Sequence, residues 1–211
     1  NNKPCAITYK PKTKKNLKNE KYIIIEKLSQ GDYDEIYLVK SIKNNKNYVL
    51  KVQLNDNKEY IMNELNALQE LKDSNIIIKL HNAWNKDGFN FMIFEDLSPC
   101  QHNYKQMVKM VTKLIKQMHK KGWIHGDIHS GNVMCNSNNG KPVLINLGEA
   151  KKIKNLDYSI QQRLKQVDLN TIHNKEYFTN DYKDDIKTNF ESYWDNLNLD
   201  LKDISNREML I

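Results

Sequence analysis

In the run WIHGDIHSGN, residues 123–132, a carboxylate (Asp127), two imidazoles (His125 and His129) and a carboxamide (Asn132) lie within eight residues. Such a stretch is too polar for a core and too compact for a linker. Asn132 follows Asp127 by five positions, and a second carboxamide, Asn146, follows it by nineteen. If the chain folds here as strand, loop and strand, Asp127, Asn132 and Asn146 can converge on one small volume. Their oxygens suit Mg2+ bound to phosphates. Asp127 can also take a proton from a hydroxyl while aligning it as a nucleophile, the work of phosphoryl transfer.

Three upstream residues could serve the same chemistry. Lys51, in YVLKVQ, shares a strand face with Val49 and Gln53. Glu64 sits at the edge of the buried face of a helix, where a carboxylate is costly unless a cation or donor meets it, and Lys51 offers one. Gly31, in SQGDYDEIY, has no Cβ, so its backbone can approach a phosphate and offer N–H groups to it. Taken singly, these are a snorkelling lysine, a solvent-edge glutamate and a hairpin glycine.

The elements that must position them follow from hydrophobic periodicity. KYIIIEKL (21–28), DEIYLVKS (34–41) and NYVLKVQ (47–53) read as antiparallel strands joined by hairpin-forming turns. Ile61, Leu65, Leu68 and Leu71 mark one face of a helix over 57–72. NIIIKLHNAW and FNFMIFEDL, joined by NKDG, read as two more strands. From 103 onward Tyr104, Met107, Val111, Leu114, Ile115 and Met118 mark a helix that stops near Gly122. Short strands in NVMCN and PVLINLG follow. Ile160, Leu164 and Val167 mark one further helix, and Ile186, Phe190, Tyr193, Trp194 and Leu197 another. The expected fold is α+β: a basic arm over 1–20, a five-stranded small lobe over 21–97 and a reduced, mostly helical lobe over 98–211.

Composition sets outer bounds. With 211 residues, 39% hydrophobic and 28% charged, the chain can build a globular core. No apolar run approaches the ~20 residues of a membrane span. Cys5, Cys100 and Cys135 are odd in number and form no CxxC pair, which argues against a disulfide framework and a zinc site and for a reducing, intracellular (cytoplasmic) setting. The net charge of +7 comes from lysines spread along the whole chain, without an aromatic-interleaved stripe, so nucleic acid is not the expected partner. A monomer is expected.

The order of glycine turn, strand lysine, helix glutamate, loop aspartate and asparagine resembles the protein-kinase superfamily over about residues 21–173. LSQGDYDEIY resembles the glycine-rich loop, YVLK the VAIK strand, HGDIHSGN the catalytic loop HRDxxxxN, and INLG the DFG motif. The resemblance implies ATP and Mg2+ as cofactors and a protein as substrate or partner. It places Gly31, Ile36, Lys51, Glu95 and Leu97 around the nucleotide, Phe94 at the gatekeeper position and Glu64 on the regulatory helix. It gives Asp127 the acceptor hydroxyl, Asn132 and Asn146 the metal, and His125 the support of the loop from within the core. Glycine in HGD and the VDL of LKQVDLNTI are similar to atypical branches: aminoglycoside-type phosphotransferases, RIO and ABC1-like kinases, and the small kinases of tRNA threonylcarbamoylation. Pared-down effector and viral kinases, which would act in a host cytosol, are similar too. In the VDL helix Asp168 would be the buried aspartate tying helix to loop. His129 matches no fixed role and divides between phosphate contact and loop packing.

Two departures matter. Ser29 and Asp34 stand where the outer glycines of the loop would be, and Asp34 would repel phosphate. Asn146 replaces the metal-binding aspartate and brings no charge. Three readings stay open: a minimal serine/threonine kinase, natural or with Asn146 substituted to inactivate it; a pseudokinase acting as a binding module; and a small-molecule phosphotransferase.

Overall fold

The computed structural model describes residues 22–31, 34–56 and 58–173. The basic arm, Cys5 and the expected helix at 186–197 lie outside them. Contacts divide the described residues into two units, one drawn from 22–55 and 80–96, the other from 56–79 and 97–173.

The first unit is a five-stranded antiparallel sheet of β1 (Tyr22–Gln30), β2 (Asp34–Ser41), β3 (Asn47–Leu54), β4 (Leu80–Lys86) and β5 (Phe89–Glu95), in the order β1-β2-β3-β5-β4. Alternation in DEIYLVKS buries Glu35, Tyr37, Val39 and Ser41. One face carries the core, in which Leu50 and Val52 of β3 join Tyr37, Val39, Phe91 and Ile93, and Trp84 stacks on Phe91 with ring centroids 5.1 Å apart. The opposite face of β3 carries Lys51 and Gln53, both buried. Asp87 and Gly88, at φ +51° and +83°, make the tight β4–β5 turn that the Asp-Gly pair favours.

The run NIIIKLHNAW does not form a single strand. β4 starts only at Leu80, while Ile76–Ile78 bond to Leu144 in the second unit: Leu144 N–H donates to Ile76 O and Ile78 N–H to Leu144 O, each at 2.9 Å. Three consecutive isoleucines need burial on both sides, and their periodicity does not reveal which neighbour supplies it.

The second unit contains α1 (Lys58–Leu71), α2 (Tyr104–Lys120) and α3 (Tyr158–His173), with the short strands β6 (Ser98–Pro99), β7 (Trp123–Ile124), β8 (Val133–Cys135), β9 (Pro142–Leu144) and β10 (Lys151–Lys152). These strands pair as β6-β8-β9 and as β10-β7. In α1 the buried face is Ile61, Glu64, Ala67, Leu68 and Leu71, so Glu64 lies within that face and Leu65 is only half-buried. A capping box starts α2: Asn103 Oδ1 accepts from Gln106 N, and Gln106 Oε1 accepts from Asn103 N.

Two expectations are corrected here. On α3, Ile160 and Val167 are exposed (45% and 57%), and the buried residues are Asp168 and Ile172. The helix turns so that Asp168 meets three donors, which outweighs its apolar stripe. Cys100 and Cys135 form a disulfide. The β6–β8 register, Ser98 opposite Cys135, brings the two together across 35 residues of sequence, a proximity that spacing alone does not reveal. Among the described residues no helix is long and apolar enough to cross a membrane.

Candidate active site

The sequence HGDIHSGN folds as a loop between β7 and β8, and its side chains hold one another. Asn132 is buried, and its Nδ2 donates both to the Asp127 carboxylate (2.8 Å) and to the Asp127 carbonyl (2.9 Å). With the nitrogen spent on Asp127, the amide oxygen is directed elsewhere. The Asp127 carboxylate itself is 44% exposed, with His129 Nε2 at 3.6 Å. His129 Nδ1 accepts from Gly131 N–H at 3.1 Å, so the ring proton belongs on Nε2, facing Asp127. His129 first, and Asn132 after it, hold the Asp127 carboxyl below the usual aspartate range against the opposing effect of burial. His129 thus bridges Gly131 and the Asp127 carboxylate within the loop.

His125 lies fully inside. Its Nε2–H donates to Ile145 O at 3.0 Å, and its Nδ1 accepts from Asp127 N–H at 3.3 Å. Burial pushes its pKa down, so it stays a neutral crosslink between the loop and residue 145. Ile145 N–H in turn donates to Asn132 O at 3.0 Å. The loop therefore anchors both sides of Ile145, and Asn146 comes next in the chain.

Beneath the loop sits Asp168. Its Oδ2 accepts from His125 N and His119 Nε2, each at 2.9 Å, and its Oδ1 from Gly126 N at 3.0 Å. One buried carboxylate thus ties the end of α2, the loop and α3 together. Gly126 has φ +84°, and a Cβ there would run into the Glu149 carbonyl, which is why glycine follows the histidine.

Asn146 takes a left-handed conformation, φ +57°, which asparagine tolerates. Its Oδ1 accepts from the Tyr60 hydroxyl of α1. The Tyr60 ring lies where a side chain at residue 148 would be, so only glycine fits there. Neither Tyr60 nor His119 was marked by sequence; each meets its partner from a distant element, and no local pattern announces either.

In the first unit Ile36 is the cross-strand partner of Lys51. Lys51 Nζ lies 3.4 Å from Asp34 Oδ2, an ion pair within this unit. Gly31 lies at the β1–β2 turn, Phe94 is buried in β5 and Glu95 closes that strand opposite Tyr48. Glu64, Leu97, Asp127, Asn132 and Asn146 all belong to the second unit. Next to Asp127 opens a pocket of ≈390 Å³, walled by Gly126 and Ile128 on the loop side and by Val167, Asn170 and Thr171 of α3.

This fold and loop define a class. The sequence profile described as "Protein kinase domain" matches residues 22–171, and the chain belongs to that family. It is 27% identical over 137 residues to a "probable casein kinase I homolog" of Encephalitozoon cuniculi, covering 56% of this chain and 42% of that protein. To a "probable serine/threonine-protein kinase zyg-1" of Caenorhabditis elegans it is 19% identical over 145 residues, covering 61% and 20%. The chain thus spans less than half the length of these relatives. Its fold matches the Cydia pomonella granulovirus kinase PK-1 with a TM-score of 0.52 at 19% identity, over 62% of this chain and 55% of that one.

Proposed function

We propose that this chain is a minimal, ATP- and Mg2+-dependent protein kinase acting on serine or threonine. The observation that carries this reading is the clamp between Asp127 and Asn132, which holds a partly exposed, ionised carboxylate on a residue that also lines a pocket. A carboxyl with a lowered pKa is a weak base. Its work is to orient the acceptor hydroxyl and to take its proton late, as bonding to phosphorus proceeds. Lys51, Gly31, Ile36, Glu95 and Leu97 are assigned to the nucleotide, and Glu64 to the regulatory helix.

The donor set suits Mg2+ in kind, because Asn132 and Asn146 offer hard oxygens, but Asn146 adds no charge. When bound, Mg2+ neutralises charge on the β- and γ-phosphates. Asn132 and Asn146 are the residues that would hold it.

A second reading, a kinase-fold binding module, draws support from the Tyr60–Asn146 hydrogen bond, which occupies a lone pair on a proposed metal ligand. One set of variants separates the two. With labelled ATP, Mg2+ or Mn2+ and a mixed serine/threonine peptide pool, Asp127→Asn should lose at least about a hundredfold in transfer and Asn146→Asp should gain about tenfold, each tenfold being ~1.4 kcal/mol of barrier. Tyr60→Phe should tighten Mn2+ binding, read by electron paramagnetic resonance, and raise transfer with it. Absence of transfer by wild type and Asn146→Asp with either metal overturns the kinase reading.

A further inference from the structure

A second pocket, of ≈520 Å³, opens in the same unit away from Asp127, where the ends of α1 and α2 meet the start of α3. Its lining includes four lysines, Lys120, Lys121, Lys154 and Lys165, against a single carboxylate, Glu70. That carboxylate is already engaged: Glu70 Oε1 takes Lys152 Nζ at 2.6 Å, and Oε2 accepts from Trp123 Nε1 at 3.1 Å. The bond from Lys152, more than any other influence, holds the Glu70 carboxyl below its usual range, so it remains an occupied anion.

The walls are fixed. Gln161 Nε2 donates to Leu156 O at 2.9 Å, and Ile153 N donates to Gly122 O at 2.8 Å, which seats the segment carrying Lys154 between α2 and α3. Lys165 is half-buried on α3, and the apolar lining residues Leu71 and Trp123 are themselves almost wholly covered. The lining thus combines four lysines with Gln161, His119 and a carboxylate that is already paired, a balance of charge suited to a compact, multiply charged anion. Lysines serve phosphate as point charges, and a concave wall of one sign concentrates their field.

We propose that this pocket binds a phosphoryl-bearing polyanion, separately from the proposed nucleotide residues. The shared chemistry is the phosphoryl group, free or carried on a polypeptide. The test titrates the full chain, in EDTA, with pyrophosphate and, in a separate arm, with a phosphoserine peptide. The readouts are calorimetry and the Trp123 indole N–H resonance, assigned with Trp123→Phe.

Saturable binding that moves the Trp123 signal is expected in at least one arm, and the arm that responds identifies the source. The pair Lys154→Gln with Lys165→Gln should weaken it at least tenfold. Lys51→Gln should not, and neither should Lys109→Gln with Lys116→Gln on the exposed face of α2. Absence of saturable binding in both arms, or equal loss from the α2 control pair, overturns the proposal.

Discussion

Asp127 is the residue whose environment can be read most directly as chemistry. Its carboxyl titrates low first because of His129 and then because of Asn132, so a role that needs the carboxylate is retained above that lowered pKa and lost as pH falls through it. Replacing His129 by alanine should let the carboxyl climb back toward the ordinary 3.8. The acidic limb of the pH profile of kcat/KM should move up accordingly; a limb that stays in place would mean that His129 only packs the loop. The Asp127–Asn132 pair was legible in the sequence because its members are five positions apart on one loop. Tyr60 and Asn146 are 86 positions apart, and their bond exists only once α1 has docked.

At the level of elements, α3 is held less by oil than by one carboxylate. Asp168→Ala would strand His119 Nε2–H and the amides of His125 and Gly126 in the interior. The expected loss is on the order of 3–5 kcal/mol, measured by urea denaturation. Asp168→Asn should recover only part of it, since a carboxamide has one acceptor oxygen in place of two. A loss below about 1 kcal/mol would show that the loop finds other acceptors. The helix is legible from its periodicity and its buried Asp168 from the resemblance of VDL, but the apolar stripe points the wrong way: Val167 and Ile160 face outward, because three buried donors set the rotation. Most of the sheet was legible for a different reason, since β-branched and aromatic runs bounded by glycine and asparagine turns mark its strands, whereas the late start of β4 at Leu80 and the register shifts along β1 leave no such mark.

Across the whole molecule, the Cys100–Cys135 bond closes a loop of 35 residues that includes α2 and the loop carrying Asp127. On the chain-entropy account, a crosslink of that span contributes roughly 4 kcal/mol by restricting the unfolded chain. Reduction with dithiothreitol, or Cys100→Ser, should lower the denaturation midpoint by a corresponding amount, while leaving the network around Asp168 intact as judged by the His119 and His125 resonances. An unchanged midpoint would show that the bond adds nothing to stability. Nothing in the spacing of three cysteines foretold the pairing, because it depends on a two-residue strand, Ser98–Pro99, too short to carry a pattern.

The bridge between Ile77 and Leu144 has a mechanical corollary. The connection leaving α1 is pinned, link by link, to the segment that ends in Asn146, so it works as a strap of set length. Adding or removing one residue over 72–75 would drag its buckle to the wrong notch, and the strain would arrive two residues from the carboxamide.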